Sequence, residues 1–328
     1  MTARPLNGIV VLIRLRADRA HGAPMRQGNE LRILQVDAFT DTPYGGNPAV
    51  VVLDADRIDE AAMLRLSREM SGGQTVFVYS SKVADWYFRY MTPGGEMAFS
   101  GHLTVGAFTA LIEEGLAEVV GDVSTYTLET KAGLRQVEIV KNETTGMHEI
   151  QITHDRPKFM NTYDPKEYAQ ALGLTLADIL APNPVQTVST GTPQVMIPVT
   201  GMRALERIHP NWDRLNELQN GSDWVSLQVF SRQTLEETSD VHVRHFAPAL
   251  GINEDPVTGS AAGSMGSYLI KYGIIAPSIP VTSIVIEQGH FMKRPGRIFV
   301  EVQGDPNEIK QVKVSGTGVT VMRGVMYI

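Results

Sequence analysis

Apolar and polar positions alternate in short runs along most of this chain, and twice they give way to a segment that is apolar on nearly every side. Residues 31–39 alternate and are rich in β-branched and apolar side chains, residues 41–48 supply turn chemistry, and residues 49–53 are a second apolar run. The chain therefore opens on a hairpin-like pair of strands. Residues 59–70 carry apolar side chains at helical spacing after an acidic first turn, with Gly72-Gly73 as the stop. Strands are predicted at 75–79, 85–91, 124–129, 134–140 and 149–153, then at 194–199, 225–230 and 241–246. Further strand signals follow at 283–288, 296–302, 311–314 and 318–327. The two all-round apolar segments, 102–114 and 261–272, predict helices buried in the core rather than helices with one wet face. Each half thus reads as sheet wrapped around one apolar helix, an α+β pattern. Regular β-α-β alternation is missing, and so is a Gly-x-Gly-x-x-Gly turn between strand and helix, so no nucleotide cofactor is expected.

The two halves are imperfect copies. Asp85, Arg89 and Pro93 recur as Asp240, Arg244 and Pro248 at an offset of 155 residues. After a three-residue slip the offset becomes 158, pairing Glu96 with Glu254, Ser100-Gly101 with Thr258-Gly259, Leu111-Ile112 with Leu269-Ile270, and Gly115-Leu116 with Gly273-Ile274. A repeat this long is a domain, not a solenoid unit. The expected organisation is an extension over residues 1–30, a first half-barrel domain of 31–156 plus 316–328, and a second of 157–315. The site is expected in the cleft between them, with the two glycine-rich helix starts facing each other.

Composition narrows the partners. At 328 residues and a net charge of -7, the chain has room for two cores and no basic footprint for nucleic acid. It contains no cysteine, which excludes disulfides, thiolate metal sites and cysteine nucleophiles. No stretch reaches the 18 to 20 apolar residues of a membrane span. The apolar run at 9–13, followed by Arg14, Arg16 and Arg19, is too short for a signal-peptide core. A disordered extension is expected there, or an over-long start with Met25 as the initiator, and a cytoplasmic location is the default.

Gly101-His102 opens the first buried helix, where amide groups and the helix dipole favour an anion such as a substrate carboxylate; Thr258-Gly259-Ser260 offers the same at the second. His102 suits general acid–base chemistry, and a helix N-terminus keeps it neutral, although a histidine that caps its helix would read the same way. Asp255, just ahead of the second helix, suits orienting a histidine, binding an amine, or complementing the helix dipole. The six other histidines outside the N-terminal extension, at 148, 154, 209, 242, 245 and 290, show no metal-type clustering except His242 and His245, which on a strand point to opposite faces. No metal is expected.

Asp37-Ala38-Phe39-Thr40 with Gly46-Asn47-Pro48-Ala49-Val50, then Gly101-His102-Leu103-Thr104-Val105-Gly106-Ala107, then Glu254-Asp255-Pro256-Val257-Thr258-Gly259-Ser260-Ala261 together resemble the PhzF-like (phenazine biosynthesis) family. Gln288-Gly289, Arg294-Pro295-Gly296 and the stretch from Val314-Ser315-Gly316 to Gly324 fit its C-terminal pattern, so the resemblance covers residues 31–328. It implies a diaminopimelate-epimerase-like fold of two pseudo-symmetric domains, a homodimer, and no cofactor. It also implies isomerase activity that shifts a proton and a double bond in a small amino- or hydroxy-carboxylic acid, in secondary metabolism. His102 and Asp255 match its catalytic histidine and aspartate, and Asn47, Gly101, Thr258, Gly259 and Ser260 are the expected substrate-binding positions. Diaminopimelate epimerases use two cysteines as base and acid, which this chain lacks.

The family's proton-shuttling glutamate lies in a Ser-Glu-Thr-x-Phe pattern, and here that stretch is Gly73-Gln74-Thr75-Val76-Phe77. An amide at Gln74 neither accepts nor delivers a proton near neutrality, and loss of a positioned acid–base group costs about a hundred- to ten-thousand-fold in rate. Two readings follow: His102 and Asp255 carry proton transfer with Gln74 as a hydrogen-bonding clamp, or the protein binds a ligand or partner without turnover. Specificity is expected from the loops at 41–47 and 182–193.

Overall fold

The computed structural model describes residues 30–70, 74–142 and 146–328. Of the expected extension only Glu30 is described, and the Gly72-Gly73 stop lies outside the described residues. The first half runs β1 (Glu30–Ala38), β2 (Asn47–Val52), α1 (Glu60–Glu69), β3 (Thr75–Ser80), β4 (Trp86–Thr92), β5 (Gly95–Met97), α2 (Gly101–Glu113), β6 (Val123–Thr130), β7 (Gly133–Lys141) and β8 (His148–His154). The chain continues through β9 (Lys158–Tyr163), α3 (Pro165–Ala171), β10 (Val185–Ser189), β11 (Pro193–Pro198), α4 (Met202–Glu206), α5 (Trp212–Gln219), β12 (Ser226–Ser231), β13 (Val241–Ala247) and β14 (Ile252–Asp255). It then forms α6 (Gly259–Lys271), β15 (Val281–Gln288), β16 (Gly296–Gly304) and β17 (Ile309–Gly316), and ends with β18 (Gly318–Tyr327). No helix among the described residues is long and apolar enough to cross a membrane.

The duplication is visible in the pairing. One half is ordered β18-β1-β2-β3-β4-β6-β7-β8 and the other β9-β10-β11-β12-β13-β15-β16-β17, with β5 and β14 as short partners of β4 and β13. Parallel pairs fall at the same places, β2–β3 and β4–β6 against β11–β12 and β13–β15. An antiparallel β8–β17 pair joins the halves into one continuous sheet. The fold is diaminopimelate-epimerase-like, two pseudo-symmetric domains that each wrap sheet around a central helix.

The repeated residues do repeated work. Arg89 grips both oxygens of Glu96 at 2.8 and 2.9 Å, and Arg244 grips both oxygens of Glu254 at 2.9 and 2.8 Å. Bidentate pairs of this kind fix geometry as well as charge. The Asp85 carboxylate accepts from Thr127 N–H and that of Asp240 from Val285 N–H, each pinning the start of one strand to the parallel neighbour. The three-residue slip is the 3-10 turn Pro248–Leu250 between β13 and β14. Both central helices also end alike, the carbonyl of Leu111 accepting from Leu116 and Ala117 and that of Leu269 from Ile274 and Ile275.

α2 is buried without a break from Gly101 to Leu111, and α6 is buried at all but two of its 13 positions, Ser260 and Lys271. Both give their apolar side chains to one large core, as an all-round apolar pattern requires. α1 covers the opposite face of β2 and β3 with Met63 and Leu66. The second half departs from the expectation of a single helix. Side chains such as Val195, Ile197, Leu227 and Val229 form a separate core with Tyr168, Leu172, Leu205, Leu215 and Trp224 from α3 to α5 and their loops. Alternate residues of the same strands, Met196 and Phe230, face α6 instead. The segment 182–193, expected as a loop, contains strand β10, whose five residues are all buried.

Candidate active site

The two central helices start against each other. A Cβ on Gly101 would stand 3.4 Å from Ser260 N and 3.6 Å from Gly259 Cα, so the facing arrangement expected from the repeat is present. Gly259 is needed for a different reason: a Cβ there would lie 2.5 Å from Phe39 Cζ. Phe39 follows β1 with a left-handed φ of 63°, and its buried ring lies against Gly259 and Gly316. Any side chain at Gly259 would displace that ring.

Neither N-cap side chain caps its helix. Ser100 Oγ lies 3.3 Å from His102 Nδ1, and Thr258 Oγ1 donates to Asp255 Oδ2 at 2.5 Å. The first-turn amides thus keep their capacity to hold an anion. Asp255, the last residue of β14, is buried within a ring of partners. Asn47 Nδ2 donates to Asp255 Oδ1 at 2.9 Å and to the carbonyl of Val257 at 2.8 Å. Gln288 Nε2 donates to the Asp255 carbonyl at 2.8 Å, while its Oε1 accepts from Thr258 N–H at 3.2 Å. Asn47 therefore crosses from β2 of one half to position the carboxylate of the other. His102 meets Ser100 through Nδ1 and has no partner on Nε2, so no hydrogen bond joins it to Asp255.

Burial sets the protonation of both groups. It pushes the Asp255 carboxyl up to about 6, against the opposing effect of the Thr258 and Asn47 hydrogen bonds. It pulls His102 down to about 4, leaving a neutral imidazole at pH 7 whose Nε2 is buried with no hydrogen-bond partner. A carboxyl raised toward neutrality and a buried neutral imidazole, one at each of the two facing helix starts, are groups of the kind that proton-transfer sites use.

Gln74 is half-buried and precedes β3, its carbonyl accepting from Val50 N–H at 3.2 Å. It enters the sheet at the end of β2 that begins with Asn47. Beside the start of α6, Ser260, Phe99, Thr190, His154 and Arg135 line a cavity of about 350 Å³ shared by the two halves. His154 places Nδ1 3.2 Å from Thr190 Oγ1, and Arg135 is paired with Asp155 at 2.8 Å. A second cavity, about 430 Å³, lies between the 39–45 loop and residues 293–297 and holds none of the expected site residues. The first is the one that adjoins the helix starts.

Gln288 was noted only as part of a family pattern, and Arg135 gave no signal, being one polar position in an alternating strand. The grouping of the histidines differs from the one their spacing suggested. His242 does not group with His245, whose Nδ1 faces Gln228, but it does meet Glu287 and His290, one donor atom from each lying within 4.8 Å of the others.

The model of the family described as phenazine biosynthesis-like protein (PhzC-PhzF) matches residues 36–324. An uncharacterized isomerase of Bacillus subtilis is 35% identical over 292 residues, covering 88% of this chain and 96% of its own. A trans-2,3-dihydro-3-hydroxyanthranilate isomerase of Pseudomonas fluorescens is 29% identical, covering 89% and 98%. The crystal structure of a PhzF-family phenazine biosynthesis protein from Bacillus anthracis is 35% identical and covers 91% of this chain and 99% of its own, with a TM-score of 0.84. A hydroxyproline epimerase from Agrobacterium vitis, 15% identical with a TM-score of 0.62, shares the fold over 93% of the chain.

Proposed function

Because the chain belongs to the phenazine biosynthesis-like family and is an isomerase of that type, we propose that it moves a proton, and with it a double bond, within a small amino- or hydroxy-carboxylic acid, without a cofactor. The observation that carries this reading is the buried Asp255, held by Asn47 and Thr258 at the paired helix starts with its carboxyl raised to about 6. The substrate carboxylate lies over the first-turn amides of α2 and α6 (Gly101, Gly259 and Ser260), with Arg135 at the rim of the adjoining cavity. Ionised Asp255 takes the proton from carbon, the electron pair spreads into the neighbouring double bond, and the same carboxyl returns the proton at the far carbon. Neutral His102 presents Nε2 to the developing charge, and Gln74 clamps the substrate by hydrogen bonds. Relatives with isomerase names, one of them a dihydro-hydroxyanthranilate isomerase, support a cyclic unsaturated amino acid as substrate. We further propose that the protein works in the cytoplasm as a homodimer, in secondary metabolism.

The test is proton NMR in deuterated water with a panel of cyclic and unsaturated amino acids. Exchange of a substrate C–H by the native chain, lost in both Asp255→Asn and His102→Ala, is the expected result; exchange that survives both substitutions overturns it. Gln74 favours the second reading, a family member that binds a ligand or partner without turnover. Exchange that appears only in Gln74→Glu would support that reading.

A further inference from the structure

We propose that His242, Glu287 and His290 form a binding site for one divalent transition-metal ion of the zinc class. The three residues lie outside the machinery described above. His242 sits on β13 directly across from Glu287 on β15, and the chain then turns through Gly289 to bring His290 back over them. One donor atom from each lies within 4.8 Å of the other two, and the His242 and His290 rings are 5.0 Å apart.

Two observations point to a ligand rather than to a self-contained hydrogen-bond cluster. The His242 and Glu287 side chains are fully buried, and each histidine keeps a buried ring nitrogen with no partner, Nε2 on His242 and Nδ1 on His290. An unsatisfied buried polar atom is destabilising, and here two occur on neighbouring rings. Moreover, two carboxylates flank the histidines: His242 Nδ1 is 2.6 Å from Glu287, and His290 Nε2 is 3.8 Å from Glu236.

The donor chemistry is selective. Two imidazoles and a carboxylate suit zinc and its first-row neighbours, not the hard cations that take only oxygen. Tetrahedral zinc holds nitrogen and oxygen at about 2.0–2.2 Å, which separates donors by about 3.3 Å. Binding would draw the three donors together from their present span of up to 4.8 Å. Glu236 or water completes the set. Glu287 also accepts from the N–H groups of Leu235 and Glu236, so an ion here ties the 232–239 loop to β13 and β15. On the opposite face of β15 the next residue is Gln288, which holds Thr258 and the Asp255 backbone. The ion therefore has a structural role, bracing the strand end behind the candidate active site.

The experiment is calorimetric titration of Zn²⁺ into the full chain after chelator treatment, with His290→Ala and Glu287→Gln beside it. His290 is partly exposed and Glu287→Gln keeps its shape, so retained circular dichroism separates lost binding from lost folding. One equivalent bound at micromolar affinity or tighter, weakened at least tenfold in both variants, with a zinc-dependent rise in melting temperature lost in His290→Ala, is the expected result. No saturable binding to the native chain, or binding unchanged in both variants, overturns the proposal.

Discussion

Replacing Thr258 with valine keeps the side chain's shape and removes the hydroxyl that donates to Asp255 at 2.5 Å. That bond favours the ionised carboxylate, and after burial it is the largest influence on a group lifted from 3.8 to about 6. A hydrogen bond to a charged group contributes about 1.5–3 kcal/mol. At about 1.4 kcal/mol per pKa unit, its loss should raise Asp255 by one to two units, to about 7–8. Asn47 remains in place and keeps the shift from growing further. The assay is ¹³C NMR of aspartate-labelled protein over pH 4 to 9, with the Asp255 resonance assigned by its loss in Asp255→Asn. Linkage supplies a second readout. A carboxyl whose folded value is raised stabilises the fold below its unfolded value and loses that stability as pH rises through the folded value. Thr258→Val should therefore fall further below the native chain in urea stability at pH 8 than at pH 5. A midpoint that stays near 6 or moves down in the variant would refute the claim that Thr258 governs this carboxyl.

Two other outcomes follow from the geometry. Gly259→Ala should lose about 1–3 kcal/mol in denaturant unfolding because its Cβ meets the Phe39 ring at 2.5 Å, whereas Gly101→Ala, with 3.4 Å of room, should not. His102, His154 and His245 are pulled down by burial to about 4, 4 and 3, so their contribution to stability is intact above the ordinary histidine value and is lost as pH falls below about 6.5. In His245→Gln the slope of unfolding free energy against pH between 6 and 4.5 should fall by one proton, about 1.4 kcal/mol per pH unit, whatever the offset. An unchanged slope would mean His245 is charged in the folded chain.

The buried helices and the duplication were legible because their signals survive in one dimension: a run of eleven consecutive buried residues in α2, and Asp, Arg and Pro spaced alike in both halves. β10 was not legible. Its Gln186, Thr187 and Ser189 look solvated between prolines, yet all are buried, with Gln186 donating to the Met160 carbonyl. α3 and α4 are seven and five residues long, too short to establish a helical period. Within the candidate site, His102 and Asp255 stood beside recognisable glycines, while the bond from Asn47 to Asp255 spans 208 positions and is made only by the docking of the halves. The His242–Glu287 contact, 45 positions apart, depends on a parallel strand pairing that no local pattern announces.

The return of β18 to pair with β1, Glu30 opposite Tyr327, sets an order of events during synthesis. Nearly all of the second half must be made before the first can cover one side of its opening strand. A ribosome-bound chain that stops before residue 318 shows the β1 edge, with Leu31, Ile33 and their backbone groups, to any other nascent strand. Contacts this distant in sequence are slow to close. The first half, although it emerges first, is the one that finishes last.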